Sequence, residues 1–122
     1  MTVIVDKLGR FSRKGSVTFT EIESSFDLES LDDVVDAPAI RIRFGNYADG
    51  RFLTLGRQLR LRGYRGHIRA AGNLVPDQFP MALRLGIDSV EITAEHALRC
   101  TEDQWIAHAQ RTEASYQTRL SG

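Results

Sequence analysis

The chain has 122 residues, 42% hydrophobic and 26% charged, enough for one domain over residues 1–122 whose core needs no metal or disulfide staple. One cysteine, Cys100, excludes an intrachain disulfide and a cysteine-ligated cluster within one chain; no apolar run nears the roughly 18 residues of a membrane span, and residues 1–15 lack the apolar centre of a secretory signal, so a cytoplasmic protein is expected. Net charge is zero but unevenly spread: residues 1–38 carry −4 and residues 71–122 carry −3, whereas residues 39–70 carry eight arginines against Asp49 alone, a net of +7.

Residues 2–5 and 16–22 read as short strands joined by a loop from Lys7 to Gly15. In the second, Val17, Phe19 and Glu21 share one face. Leu28, Leu31, Val34 and Val35 fall at helical spacing behind Asp27, an expected N-cap, and Ala37-Pro38 ends that helix. Residues 39–44 alternate as a strand, with Ile40, Ile42 and Phe44 on one side and Arg41 and Arg43 on the other. A helix over roughly 51–62 follows, burying Phe52, Leu55, Gly56 and Leu59. Gly56 is expected to allow a close helix-to-sheet approach, and Gly63 to take the left-handed C-cap.

Residues 67–71 read as the next strand. Asp77 is the expected N-cap of a helix over 78–85, with Pro80 in its first turn and Gly86 as its cap. Residues 89–93 form a further strand. Thr101 and Gln104 then make a capping-box pattern for a last helix that buries Trp105, Ile106 and Ala109, and the tail from Ser115 to Gly122 is expected to fray. The order predicts an α/β domain with a largely parallel sheet of alternating strand–helix units, preceded by two short N-terminal strands, with right-handed crossovers.

In doubly wound α/β sheets, ligands bind beyond the carboxyl ends of the strands. Those ends carry Asn46, Asp49, Gly50 and Arg51, then Asn73, Asp77 and Gln78, then Thr93 and Glu95. The site expected there is Asp49, Gly50, Arg51, Asn73, Asp77 and Gln78. Arg51 and the free N–H groups of the helix starts suit an anion, although Asp49 and Asp77 have the commoner use of capping those same groups. Asp49 and Asp77 are also the two candidates for a catalytic carboxylate pair. Dinucleotide, phosphate-loop and nucleophile-elbow signatures are missing. His67, His96 and His108 lack metal-ligand spacing, so no metal is expected; His96 and His108 read as residues of solvated helix faces, and Cys100 as a small buried hydrophobe. Arg57, Arg60 and Arg62 read as a solvated helix face and not as a nucleic-acid surface, and most of the other arginines as partners of acids in the flanking segments.

From Asp27 to Glu91 the chain resembles the bacterial family called domain of unknown function nine hundred thirty-four. The markers are Asp49-Gly50-Arg51, Leu55-Gly56-Arg57-Gln58-Leu59-Arg60, Gly63-Tyr64 with Gly66, Arg69-Ala70, Gly72, Asp77-Gln78, Arg84 with Gly86, and Asp88-Ser89 with Glu91. Asn73 stands where the family usually has an acid. The resemblance implies a setting beside sulfite reductase, and with it the label of an oxidoreductase of sulfite reduction. One cysteine and no dinucleotide fingerprint give that label no cofactor to rest on. Three readings follow: an accessory protein of sulfite or sulfate assimilation that binds a small oxyanion or docks onto sulfite reductase, an enzyme with a pocket at the carboxyl ends of the strands, or a homodimeric interaction module.

Overall fold

The computed structural model describes residues 2–13, 18–45 and 50–110. Six strands build one mixed sheet: β1 (Thr2–Val5), β2 (Phe11–Ser12), β3 (Thr20–Glu23), β4 (Ala39–Arg43), β5 (His67–Ala71) and β6 (Ser89–Thr93), in the order β2-β1-β6-β5-β4-β3. From β3 to β6 the strands are parallel and each lies beside its successor in the chain. β1 joins the far side of β6 antiparallel, and β2 returns antiparallel to β1. The α/β class with short leading strands is therefore as the sequence predicts, but the strand expected at 16–22 is β3 of the parallel set, and β2 falls in the loop expected from Lys7 to Gly15. The tail from Ser115 lies outside the described residues.

Between the parallel strands run a 3₁₀ turn (Leu28–Asp33), α1 (Arg51–Leu61) and α2 (Phe79–Arg84). Beyond β6 come α3 (Ala94–Arg99) and α4, helical over residues 102–110. The register puts Val3, Val5, Ile22, Ile40, Ile42, Ile68, Ala70, Val90 and Ile92 on one face of the sheet. These side chains share a single core with Leu31, Phe52, Leu55, Leu59, Phe79, Ala82, Trp105 and Ala109. The helices thus lie on one side, as right-handed crossovers between successive neighbouring strands require. Phe44 stacks on Phe52 with centroids 4.0 Å apart, tying the end of β4 to α1. Phe79 meets Trp105 edge-on at 5.2 Å, tying α2 to α4.

Local chemistry explains most boundaries, and some differ from expectation. Asp27 accepts the N–H of Glu29 at 3.0 Å, so the expected cap holds, but the segment behind it winds as a 3₁₀ turn and ends at Asp33. Asp77 is not an N-cap. The chain turns in a short 3₁₀ segment, Pro76–Gln78, and α2 starts behind Gln78 with no side-chain cap. Pro80 sits in the first turn of α2, where its missing N–H breaks no helical bond. Gly63 and Gly86 take the left-handed φ of +87° and +100° at the ends of α1 and α2. Gly56 is buried as predicted, but what crowds it is the Ile87 side chain ahead of β6. Cys100 is half-buried and packs against the core. α3 has no buried residue and was not foreseen as a separate element.

Candidate functional site

At the carboxyl ends of the parallel strands, the described residues of the expected site go to separate partners. Asp49 lies outside the described residues. Gly50 is the N-cap residue of α1. Arg51 donates through Nε to the Ser24 carbonyl at 2.9 Å and through Nη2 to the Phe26 carbonyl at 3.3 Å, so its guanidinium ties α1 to the loop after β3. Asn73 accepts the N–H of Thr93 at 2.9 Å and bridges the ends of β5 and β6. Gln78 accepts the N–H of Val75 at 3.4 Å. Asp77 meets His108 Nε2 at 3.1 Å on α4. Thr93 caps α3 by accepting the His96 N–H at 3.1 Å, and Glu95 pairs with Arg99 along that helix. His96 and His108 are not solvated: His96 Nε2 is 2.8 Å from the Leu74 carbonyl, and the His108 side chain is only 17% exposed.

The sheet face opposite the helices carries a network of charges. Arg41 on β4 reaches across β5 to Glu91 on β6, with Nη2 2.6 Å from Oε2, and also pairs with Glu21 on β3. The span is possible because Ala71, beside Glu91 in the register, is small. Arg69, only 8% exposed, packs its guanidinium 4.5 Å from the Phe19 ring centroid and donates through Nε to Ser89 Oγ at 2.9 Å. Ser89 Oγ is also 2.7 Å from His67 Nε2, and Phe19 meets the His67 ring edge-on. The hydrogen bond to Glu91 raises the Arg41 pKa, whereas burial lowers that of Arg69. The expectation that most arginines pair with acids of the flanking segments holds for Arg41, Arg43, Arg60, Arg62 and Arg69.

A cleft of about 570 Å³ opens at the other pole, at the amino ends of β5 and β6, lined by Lys7, Arg60, Tyr64, Arg65, Gly66, His67, Gly86 and Asp88. Arg60 builds its wall. Nε and Nη2 donate to the Gly86 carbonyl at 3.1 and 2.9 Å, Nη1 to the Tyr64 and Gly66 carbonyls at 2.9 Å each, and Nη2 also to Asp88 Oδ2 at 2.6 Å. All five N–H groups of the guanidinium are thereby used. Arg60 is therefore no part of a solvated helix face; it clasps the end of α1 to the loops ahead of β5 and β6. Arg62 is tied down as well, to Asp32 and to the Leu28 carbonyl, while Arg57 is exposed as expected. Asp88 Oδ2 further accepts the N–H of Ile68 at 2.9 Å, and Lys7 lies 3.2 Å from Oδ1. The Tyr64 hydroxyl donates to the Ala37 carbonyl at 2.9 Å, and burial raises its pKa. Arg65 is exposed, with no ion pair among the described residues. Three cations against one carboxylate give this pole a positive bias.

None of these cleft residues was expected as part of a site. A signal for them is present in the sequence: Arg60, Tyr64, Gly66, Gly86 and Asp88 are all among the short markers that carry the resemblance. Ligand crevices at carboxyl ends open where the order of parallel strands reverses, and β3 to β6 run without a reversal.

His67 gives folding stability a pH dependence. Burial holds its imidazole below the ordinary value of 6.5, Asp88 opposes that shift, and Arg69, Lys7 and Arg60 add to it. The unfolded chain then takes up a proton before the folded chain does. The contribution of His67 to stability is complete above about pH 6.5 and declines as pH falls through the folded value. Thermal melts taken from about pH 7 to about pH 5 should show this decline, and His67→Gln should flatten the part of it that His67 causes. Equal slopes in the two proteins would assign the decline to other groups.

Among the described residues no helix is long and apolar enough to cross a membrane, and no group of three or more His, Cys, Asp or Glu is placed to hold a metal ion. Comparison with curated proteins and with solved structures returns no match. A family model does match, over residues 16–122, a longer span than the sequence markers cover and one that includes every cleft residue except Lys7. With β3 to β6, α1 and the Arg60 clasp all inside that span, the chain belongs to the family described as Bacterial protein of unknown function (DUF934).

Proposed function

We propose that the protein acts by binding, as an accessory protein of sulfite or sulfate assimilation, and that its ligand is a small oxyanion held in the cleft at the amino ends of β5 and β6. The cleft itself carries the reading: Lys7 and the exposed Arg65 stand over a wall that Arg60 and Asp88 have already neutralised. An ammonium and a planar guanidinium suit a compact anion with several oxygens. The sulfur setting comes from the resemblance alone. The enzyme reading has less support, because the described side chains at the carboxyl ends are engaged with separate partners instead of converging.

The test is a thermal-shift series with sulfite, sulfate, phosphate and adenosine phosphosulfate. A ligand at 100 times its Kd adds about 2.7 kcal/mol, a rise in Tm of about 10 °C for a chain of this size. The rise should be lost in Arg65→Ala and kept in Arg51→Ala. Loss in Arg51→Ala with retention in Arg65→Ala would move the site back to the carboxyl ends. No rise with any anion would sink the oxyanion reading and turn attention to a protein partner, with sulfite reductase the first to try.

A further inference from the structure

The register of β1 against β6 sets where Lys7 stands. Their antiparallel pairing runs from Thr2 with Thr93 to Val5 with Val90. Carried two residues further, the same register puts Lys7 opposite Asp88, and the Lys7 ammonium lies 3.2 Å from Asp88 Oδ1. The chain turns back at this point into β2, and Asp6 folds the turn. Its Oδ1 accepts the N–H groups of Leu8 and Arg10 at 2.9 and 3.0 Å. Its own N–H donates to the Arg10 carbonyl at 3.0 Å, and its carbonyl accepts the Gly9 N–H at 2.9 Å. Gly9 completes the hairpin with a left-handed φ of +84°.

α4 holds the same turn from outside. Glu102 Oε2 accepts the Phe11 N–H at 2.7 Å, and Gly9 lies so close to α4 that a Cβ there would come within 2.5 Å of the Trp105 and Ile106 backbone. Lys7 therefore rises from an ordered backbone, while 68% of its side chain stays open to a ligand. A cation whose backbone is already fixed gives up less freedom on meeting an anion. Resting on the oxyanion reading of the same cleft, we infer that two acids, Asp6 and Glu102, are positioning residues of the anion site, acting through Lys7, and that Glu102 links the cleft to the docking of α4. The sign of the effect separates positioning from charge. By Coulomb's law alone, taking a carboxylate away from the protein favours an anion. By positioning, it weakens the anion's binding.

Calorimetric titration of the full chain with sulfite, sulfate, phosphate and adenosine phosphosulfate, below the melting temperature of every variant, tests this. For whichever anion binds, Asp6→Ala and Glu102→Ala should each lower the affinity about fivefold, the worth of one hydrogen bond. Asp6→Asn and Glu102→Gln keep an acceptor oxygen without the charge, and should restore it. In a Lys7→Ala background neither alanine variant should weaken binding further, since the group they position is gone. Unchanged or tighter binding in the alanine variants would overturn the inference, and so would an equal loss in the Lys7→Ala background; if Arg65→Ala still abolishes binding, the oxyanion reading stands in both cases. Binding of none of the four anions by the unmodified protein would overturn the oxyanion reading, and this inference with it.

Discussion

Replacing Arg60 with alanine is expected to destabilise the protein by about 3 kcal/mol, a fall in Tm of about 10 °C. The side chain is 26% exposed and its partner Asp88 15%, so the pair is mostly withdrawn from water. Truncation leaves Asp88 with a partly buried charge and strips the carbonyls of Tyr64, Gly66 and Gly86 of their donor. It also removes a cation held 5.7 Å from the Tyr64 ring centroid. Arg60→Lys should recover less than half of the loss, because an ammonium cannot address three carbonyls and a carboxylate at once. A denaturant melt of the three proteins decides the matter. Full recovery by lysine would show that charge matters here and the clasp geometry does not.

Trp105→Ala is expected to cost about 4 kcal/mol, the largest single loss in the molecule. The indole is fully buried, packs edge-on against Phe79, and donates through Nε1 to the Cys100 carbonyl at 3.0 Å. Its removal opens a cavity between α2 and α4 and orphans that carbonyl. The first loop depends on the same helix. Phe11 donates its N–H to Glu102 at 2.7 Å, and a Cβ on Gly9 would lie 2.5 Å from the Trp105 backbone. Trp105→Phe should restore more than half of the stability, since it keeps the ring contact and loses only the N–H. If Trp105→Ala melts within about 1 kcal/mol of the unmodified protein, α4 does not belong to the cooperative core.

Much of the fold was legible because its signals are local. β4 alternates, α1 carries a four-residue apolar stripe, and Gly63 and Gly86 punctuate as left-handed residues must. α3 escaped notice for the opposite reason: AEHALR buries nothing, so no stripe marks it. The expected cap at Asp77 failed because Pro76 starts a 3₁₀ turn ahead of it, and the acid swings to His108 on another helix. The cleft was not legible from periodicity at all. Arg60 looks like a surface residue in the helical repeat, and only the fold brings the Tyr64, Gly66 and Gly86 carbonyls around it. Composition did anticipate that most arginines would be spent on acids from both flanks, which leaves Arg57 and Arg65 exposed without an ion pair among the described residues.

The place of β1 sets an order of assembly. Val3 and Val5 are apolar and are made well before their register partners Ile92 and Val90, which belong to β6. The units from β3 to β6 need only neighbouring strands to close, whereas β1 must wait until β6 exists and then close the longest loop in the sheet. During synthesis β1 therefore has only the two-residue β2 beside it, and the edge of β6 is open to any other chain that offers a strand. Two copies at that stage can exchange β1, so overproduction should favour strand-swapped dimers that a mature, fully paired molecule would not form.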